Sequence, residues 1–163
     1  MARSANLKLI SMLKAVKISI LSLLLLSNCG FGSETRYPPL DSLEIEITGD
    51  DFQWYIRYPG RDGRLNTPDD VQSVRNVHLP IHVTAKIQLK SKDYLYSFAL
   101  PRQGLKQLAV PDLVFPLEFK VKALGSFPLL GDQLCGYAHP DLMGELIVQS
   151  REDFEIWMEE NQR

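Results

Sequence analysis

The most constraining feature of the sequence is a thirteen-residue stretch in which every second residue is apolar. Its apolar members are Val77, Leu79, Ile81, Val83, Ala85, Ile87 and Leu89. Because successive side chains of a strand point to opposite faces, this period predicts that Val77–Leu89 is one long central strand with the apolar face inward. His78 and His82 fall on the other face, where we expect solvent; the alternative for this pair of imidazoles is a metal.

Shorter β-prone stretches lie on both sides of this one. They are Leu43–Thr48, Phe52–Tyr58, Tyr94–Leu100, Leu105–Val114, Leu117–Leu124 and Gly144–Gln149. Turn-forming residues separate most of them, notably at Gly49–Asp51, Pro59–Asp70, Ser91–Asp93 and Pro101–Gly104. Many short strands divided by turns predict an all-β fold, an antiparallel Greek-key sandwich or barrel from Leu43 to Gln149.

The chain ends in a predicted short helix, Ser150–Glu159. Ser150 followed three residues later by Asp153 resembles a capping box at a helix N-terminus. Phe154, Trp157 and Met158 have the i, i+3, i+4 spacing of one apolar stripe, so we expect the helix to pack on one end of the β fold.

The N-terminus has the layout of a secretory signal. A positively charged segment precedes the apolar run Ile18–Leu26, and Leu26-Ser-Asn-Cys29 resembles a bacterial lipobox. This run has nine residues, and even the wider stretch of apolar character around it, about 14 residues, is shorter than the roughly 20 that a spanning helix needs. A lipoprotein signal, a plain signal peptide and an uncleaved anchor are the three alternatives. We expect the first, with Cys29 lipidated and the protein held on the periplasmic face of a bacterial membrane.

Export divides the chain into a signal peptide, residues 1–28, a flexible tether, residues 29–42, and a folded domain, residues 43–163. The first 29 residues hold four of the 18 Lys and Arg and no Asp or Glu. The remainder therefore carries 14 cations against 20 anions, a net charge of −6. This acidic balance argues against nucleic acid as a partner and suits a basic protein such as a small cytochrome.

The loop Pro59–Asp70 is rich in side-chain oxygens. Those that could bind Ca²⁺ belong to Asp62, Asn66, Asp69 and Asp70. Their spacing is not that of an EF-hand, which has a fixed twelve-residue ligand pattern. We interpret the loop as a solvated turn, with calcium as the alternative.

The chemistry most specific to this chain lies in Gly131–Met143. Cys135, His139 and Met143 are spaced i, i+4, i+8, and a thiolate, an imidazole and a thioether form the soft ligand set of a copper site. The alternative is a small buried thiol, a polar histidine and a core methionine. If Cys29 carries lipid, Cys135 has no disulfide partner, and a free thiol in an oxidising compartment needs burial or a metal.

Six motifs over Leu43–Trp157 resemble, in order, the exported copper domain of cytochrome c oxidase subunit II. They are Gln53–Tyr55 with Arg57–Gly60, Asn76–Pro80, Ser91–Pro101, Gly104–Lys106, Val110–Pro111, and Leu134–Gly136 followed by His139. The resemblance implies a cupredoxin-like fold with a C-terminal helix. It also implies oxidase subunits as partners, respiratory electron transfer as the function, and no catalysis by this domain on its own.

The resemblance further implies a dinuclear centre, copper A, but most of its ligands are replaced here. That centre uses a strand His, then Cys-x-Glu-x-Cys, then His four residues later and Met three residues after that. The replaced positions are Tyr96 for the strand His, Gly131 for the first Cys, Gln133 for the Glu and Leu142 for the Met, with Met143 next to it. Cys135 and His139 are retained. One thiolate cannot form the double bridge, so copper A is excluded and one copper ion is the upper limit.

Two questions stay open from the sequence. Trp54 matches the tryptophan through which electrons enter the family's copper domain, or it is an ordinary packed aromatic residue. The whole protein is an oxidase subunit with a modified copper site, a metal-free accessory or assembly lipoprotein of a respiratory complex, or a periplasmic Cu(I) carrier. If copper binds, we expect Cys135 and His139 to hold it, with Met143 as a long axial contact, and Tyr96 to face the three.

Overall fold

A computed structural model describes residues 40–133 and 139–162, which form ten strands, one α-helix and two short 3-10 helices, Pro101–Gln103 and Pro140–Leu142. The elements are β1 Ser42–Asp50, β2 Gln53–Tyr58, β3 Val71–Val74, β4 Val77–Pro80, β5 Thr84–Ser91, β6 Tyr96–Leu100, β7 Leu105–Ala109, β8 Phe115–Lys120, β9 Gly125–Gln133, β10 Gly144–Gln149 and α1 Arg151–Glu160. Cys29, Cys135 and the predicted signal peptide lie outside the described residues. No helix in the described ranges combines the length and the apolar character needed to cross a membrane.

The strands form two five-stranded sheets. The first has the order β3-β2-β1-β5-β8 and the second the order β4-β10-β9-β6-β7. The cupredoxin-like β-sandwich with a short C-terminal helix is therefore confirmed. The expectation of a purely antiparallel fold is wrong, because β1 pairs parallel with β5 and β4 pairs parallel with β10. Such pairs arise when the chain crosses between sheets before it returns beside an earlier strand.

The core lies between the sheets and consists of alternate residues from their inner faces. The first sheet contributes Ile45, Ile47, Ile87 and Leu89, and the second contributes Tyr96, Phe98, Leu129 and Leu146, all at most 1% exposed. Leu43–Thr48 and Gly144–Gln149 are confirmed as strands, the former extended at both ends. Burial of these side chains is the main driving force for the fold.

The alternating stretch Val77–Leu89 is two strands, so the prediction of one central strand is wrong. The chain leaves the second sheet after β4, an edge strand, and enters the interior of the first sheet as β5. The bend falls at Ile81–Val83, where His82 has a φ of 67°. Both sheets face one core, so the apolar side of the stretch stays inward through the bend, and the period of two could not reveal it.

The two histidines of this stretch have different surroundings. His82 is exposed, as expected. His78 is half-buried, which corrects the expectation of solvent: its ring stacks on Trp157 at 4.1 Å, and its Nδ1 lies 3.1 Å from Gln149 Oε1. The helix that carries Trp157 covers this side of β4.

The strands β3 and β9 have no counterpart among the stretches predicted from the sequence. Pro128 lies within β9, and a proline inside a stretch argues against an interior strand because it lacks an N–H donor. The structure accommodates it because β6 pairs with β9 only from Leu130 onwards, while residues 125–129 pair with β10 alone. Since β9 reaches Gln133, Gly131 belongs to a strand and not to the predicted loop.

The C-terminal helix is confirmed with its predicted cap and stripe. The backbone N–H of Asp153 donates to Ser150 Oγ over 3.1 Å. Phe154 and Met158 are buried, and Trp157 lies edge-on to Tyr58 with the ring centroids 5.0 Å apart. The apolar stripe therefore fixes α1 against the second sheet and β2.

Candidate metal centre

The residues implied by the copper resemblance lie at one end of the sandwich, here called the site end. Gly49 near the end of β1 pairs with Ser91 at the end of β5, and Tyr96 at the start of β6 pairs with Gln133 at the end of β9. Two described residues between β9 and β10 lie at this end: His139 stacks on Phe52, and the backbone oxygen of Leu142 accepts from Trp54. Cys135, in the same stretch of sequence, lies outside the described residues.

Trp54 is wholly buried at the site end. Its Nε1–H donates to the backbone oxygen of Leu142 over 3.0 Å, and its ring lies edge-on to Tyr96 and Phe98. The hydrogen bond ties the segment between β9 and β10 to the first sheet. With 0% exposure the indole cannot touch a docked partner, so the geometry favours the packing role over electron entry.

Gly131 has no room for a side chain. A Cβ at this position would lie 2.5 Å from the Leu142 oxygen and 2.7 Å from Trp54 Nε1. Real Cβ atoms do not approach backbone so closely, so a cysteine requires the Trp54–Leu142 hydrogen bond to move. The position that would carry the first bridging thiolate is closed by the fold as well as by the sequence.

The hydroxyl of Tyr96 is committed to two hydrogen bonds. It donates to Asp93 Oδ1 over 2.7 Å and accepts from the N–H of Phe52 over 3.2 Å. Burial raises the pKa of Tyr96 well above its usual value, and the hydrogen bond to Asp93 adds to this. A phenol that keeps its proton and both partners is not a copper ligand near neutral pH.

Asp93 is held in its ionised form. Partial burial alone works to raise the pKa of this carboxyl. The hydrogen bonds from the Tyr96 hydroxyl and from the N–H groups of Asp51 and Tyr94 outweigh it, and the pKa lies below its ordinary range. Asp93 therefore fixes Tyr96 and the adjacent turns.

His139 belongs to a stack of three rings. Phe52 lies between Tyr94, at a centroid distance of 5.1 Å, and His139, at 4.8 Å. The His139 Nδ1 is buried, with no hydrogen-bond partner in the part of the chain that the structure describes. It lies 3.6 Å from Asp141 Oδ2, whose carboxylate is bound by Arg75 at 2.8 Å. The imidazole thus has a nitrogen free of hydrogen bonds within the described ranges.

Met143 lies on the other side of the sheet. It is 36% exposed and lines an outer cavity with Ser97 and Ala99, whereas Leu142 is buried beside Trp54. Tyr96 faces the core, so the expectation that it faces Met143 is wrong. Adjacent residues of an extended chain point to opposite sides, and the shift of one position from 142 to 143 therefore moves the thioether outward. A ligand role for Met143 stays a prediction, and this placement weighs against it.

Three residues that the sequence did not mark as functional position the side chains of the site end. Phe52, Tyr94 and Asp93 contact Tyr96 or His139, yet the sequence pattern assigns Phe52 and Tyr94 to strands and only Asp93 to a turn. Asp51 and Phe52 form the turn between β1 and β2 with φ of 47° and 58°. A phenylalanine in the left-handed region is unfavourable, and its ring contacts together with its bond to Tyr96 hold it there. Gly49–Asp51 predicts a turn here, but the turn lies one residue later, because Phe52 belongs to it and not to the strand that follows.

The loop 59–70 is a turn stabilised by its own side chains, as expected. Asp70 accepts from the N–H of Asn66 over 2.8 Å, and Asp62 accepts from that of Arg64 over 2.8 Å. The hydrogen bond from Thr67 is the main reason that the pKa of Asp69 is lowered. The described residues contain no group of three or more His, Cys, Asp or Glu that could hold a metal ion.

Fold and site together define a class: a cupredoxin-like domain whose described residues do not form a dinuclear copper site. A profile of the family "Cytochrome C oxidase subunit II, periplasmic domain" matches residues 51–150. The chain belongs to this family.

Individual relatives agree with that assignment. The chain is 32% identical over 148 residues to the alternative cytochrome c oxidase subunit 2 of Bradyrhizobium diazoefficiens, covering 75% of this chain and 52% of the relative. It is 30% identical over 120 residues to cytochrome c oxidase subunit 2 of Thermostichus vulcanus, covering 74% and 34%. This chain therefore spans about a third to a half of the length of these curated relatives.

A solved structure shows the same fold. The periplasmic domain of subunit II of cytochrome oxidase of Bradyrhizobium japonicum superposes with a TM-score of 0.63 at 22% identity, covering 76% of this chain and 95% of that one. At this identity the likeness concerns the fold alone, and the copper site has to be judged from the residues of this chain.

Proposed function

We propose that this chain is an exported subunit II domain that serves a respiratory oxidase without a copper A centre. The observation that carries the proposal is the closed position at Gly131, where Trp54 and Leu142 occupy the space that a second thiolate would need. Tyr96 in place of a histidine, with its hydroxyl bound to Asp93, supports the same reading. The residues therefore do not fit a dinuclear copper centre.

The proposed role is an accessory one, in which the domain contributes its surface. The relatives carry names of oxidase subunits, and we propose oxidase subunits as the partners of this chain. Asp51, Asp93 and Asp112 are exposed at or near the site end, which suits a basic partner such as a small cytochrome. The buried side chains of Trp54 and Tyr96 stabilise this surface through their hydrogen bonds to Leu142 and Asp93.

We also propose that the domain, residues 43–163, is held at the periplasmic face of a membrane. The support is the signal layout of residues 1–28, the lipobox-like Cys29 and the short tether of residues 29–42. Mass spectrometry of the native protein tests this. A mature chain that begins at a diacylated Cys29 is expected, and one that retains Met1 would contradict it.

The function is tested by anaerobic copper titration of the full chain, followed by absorption and EPR spectra. We expect no centre with two copper ions, because Cys135 is the only cysteine of the domain, residues 43–163, and the Gly131 position is closed. We also expect no intense thiolate-to-copper(II) band, because Tyr96 stands where such a site needs its second histidine. The matched control is Cys135→Ala, which should give the same spectra. A dinuclear EPR signal in the parent that the control lacks would refute the proposal.

A second candidate, a Cu(I) carrier, is favoured by one observation. His139 Nδ1 is buried without a hydrogen-bond partner among the described residues, and Cys135 precedes it by four positions. A thiolate and an imidazole suit Cu(I). On this reading one Cu(I) binds per chain without colour, affinity falls as pH drops because the thiol must lose its proton, and Cys135→Ala abolishes binding.

A further inference from the structure

A basic cleft lies at the end of the sandwich opposite the candidate metal centre. Arg102, Lys120, Lys122 and Phe127 line it, and its volume is about 450 Å³. The Arg102 guanidinium lies over the Phe127 ring, 5.9 Å from its centroid. None of the three cations forms an ion pair with a carboxylate in residues 40–133 and 139–162, although the domain as a whole carries an excess of acid.

The chain enters the domain at this same end. Ser42, the first residue of β1, pairs with Thr84, and Thr84 pairs with Lys120 at the end of β8. We call this the tether end. The nine residues of β1 separate it from the site end, roughly 25–30 Å at about 3.3 Å per residue.

The tether is short enough to keep the tether end close to a membrane. Twelve residues separate Cys29 from Ser42, and even fully extended they span only about 40 Å. This step rests on the membrane attachment proposed above.

The loop beside the cleft combines an exposed leucine with lysines. Leu124 follows Lys122 in the turn between β8 and β9 and is 57% exposed, among the most exposed of the large apolar side chains described. A leucine beside lysines is typical of surfaces that enter the headgroup region of a bilayer. Glu118 is the nearest acid on the same face of β8, and it lies opposite Lys86 in the strand register.

We infer that the tether end docks on the membrane through the phosphate of an anionic lipid headgroup. Arg102, Lys120 and Lys122 bind the phosphate, and Leu124 enters the interface. Gln103 lines the same cleft, and its side-chain amide can hydrogen-bond a headgroup oxygen or hydroxyl such as those of phosphatidylglycerol. Docking at this end turns the acidic site end away from the membrane, towards soluble partners.

The test places a fluorescent reporter at the docking loop of the full chain. Leu124→Trp is reconstituted into vesicles with brominated acyl chains, made of phosphatidylcholine alone or mixed with phosphatidylglycerol, and the parent chain supplies the background of Trp54 and Trp157. We expect bromine quenching of the new tryptophan only in the anionic vesicles. Lys120→Gln with Lys122→Gln should lower the ratio of docked to undocked domain about fivefold for each lysine.

The matched control removes two cations at the other end, Arg75→Gln with Lys92→Gln, and should leave the quenching unchanged. Equal quenching in both kinds of vesicle, or equal loss in both double variants, would overturn the inference. Loss of quenching on addition of inorganic phosphate, but not of chloride at equal ionic strength, would assign the cleft to a soluble anion and overturn it as well. A chain that floats with the vesicles without quenching refutes docking but leaves the attachment intact, whereas a chain that does not float refutes both.

Discussion

At the scale of single residues, the packing of the site end depends on a glycine, Gly131, which has no side chain. Gly131 lets the indole of Trp54 reach the Leu142 oxygen, and the resulting contact fills the place of a bridging thiolate. Gly49 acts in the same way, because a Cβ there would lie 2.4 Å from Cδ2 of Tyr96. The large aromatic rings at this end therefore depend on two glycines whose role is to leave space.

Gly131→Cys should destabilise the domain by about 1–3 kcal/mol. The new side chain would clash with the backbone of Leu142 and the indole of Trp54, and the tight packing leaves no room for both to move away. Denaturant unfolding followed by tryptophan fluorescence measures the change. Ala99→Cys places the same thiol on the outer face of β6 and serves as the control, with little expected loss. Equal stability of Gly131→Cys and the parent would show that the Trp54–Leu142 contact yields easily, and copper A geometry would then be sterically open again.

At the scale of elements, α1 is held by an aromatic contact that is sensitive to protonation. His78 stacks on Trp157, and burial lowers the pKa of this imidazole below its usual value, while the contact with Gln149 opposes the shift. A histidine whose pKa is depressed by folding stabilises the folded form above its unfolded pKa of about 6.5. That stability is lost as pH falls through the lower, folded pKa.

Acidification below about pH 6 should therefore loosen α1 before the sandwich unfolds. Hydrogen exchange of residues 151–160 measures the loosening, and β1 and β5 provide the internal reference. His78→Gln keeps a polar side chain without the charge and should remove the pH dependence of this exchange. If the helix in the variant and in the parent respond alike to acid, another group is responsible.

At the scale of the whole molecule, two buried tyrosines make the stability of the sandwich depend on pH in the alkaline range. Tyr58 contacts α1 and Tyr96 lies at the site end, and burial raises the pKa of each well above its ordinary value. The N–H of His78 donates to the Tyr58 hydroxyl over 2.7 Å. A raised folded pKa means that the stabilisation is complete below the unfolded value of about 10 and is lost as pH rises towards the folded one.

The domain should thus lose stability steadily above about pH 10, with Tyr58 and Tyr96 ionising only as it unfolds. Tyrosinate absorbance and the denaturant midpoint, recorded over the same pH range, measure the two events. In the double variant Tyr58→Phe with Tyr96→Phe the midpoint should become less dependent on alkaline pH. Ionisation of both residues in a domain that remains folded would contradict the expected burial.

The same scale shows a division of charge along the sandwich. Carboxylates such as Asp51 and Asp93 are exposed at the site end, and cations such as Lys120 and Lys122 are exposed at the tether end. Since the ends are separated by the length of β1, the two surfaces can meet different partners at once.

The sequence by itself determined the properties that depend on local periodicity and on residue identity. Alternation predicted the inward faces of the strands, and Ser150 with Asp153 predicted the start of α1. The loss of copper A, expected because Cys135 is the one cysteine of residues 43–163, stays a prediction. The order of the motifs was enough to identify the family. These inferences needed no knowledge of distant neighbours, because a strand face, a helix cap and a ligand count are fixed by residues close together in the chain.

Only the tertiary structure decided how distant segments meet. The bend at His82 moves the chain between sheets without disturbing its alternation, so the break in Val77–Leu89 could not be seen in the pattern. Pro128 is tolerated in β9 because β6 does not pair with this part of β9. The length and register of β6 decide this, and the sequence around Pro128 does not show them. Leu142 faces Trp54 and Met143 faces outward because the loop before β10 is fixed at Leu142 by the hydrogen bond from Trp54. Contacts of this kind are set by long-range packing, which a local pattern of apolar and polar residues does not encode.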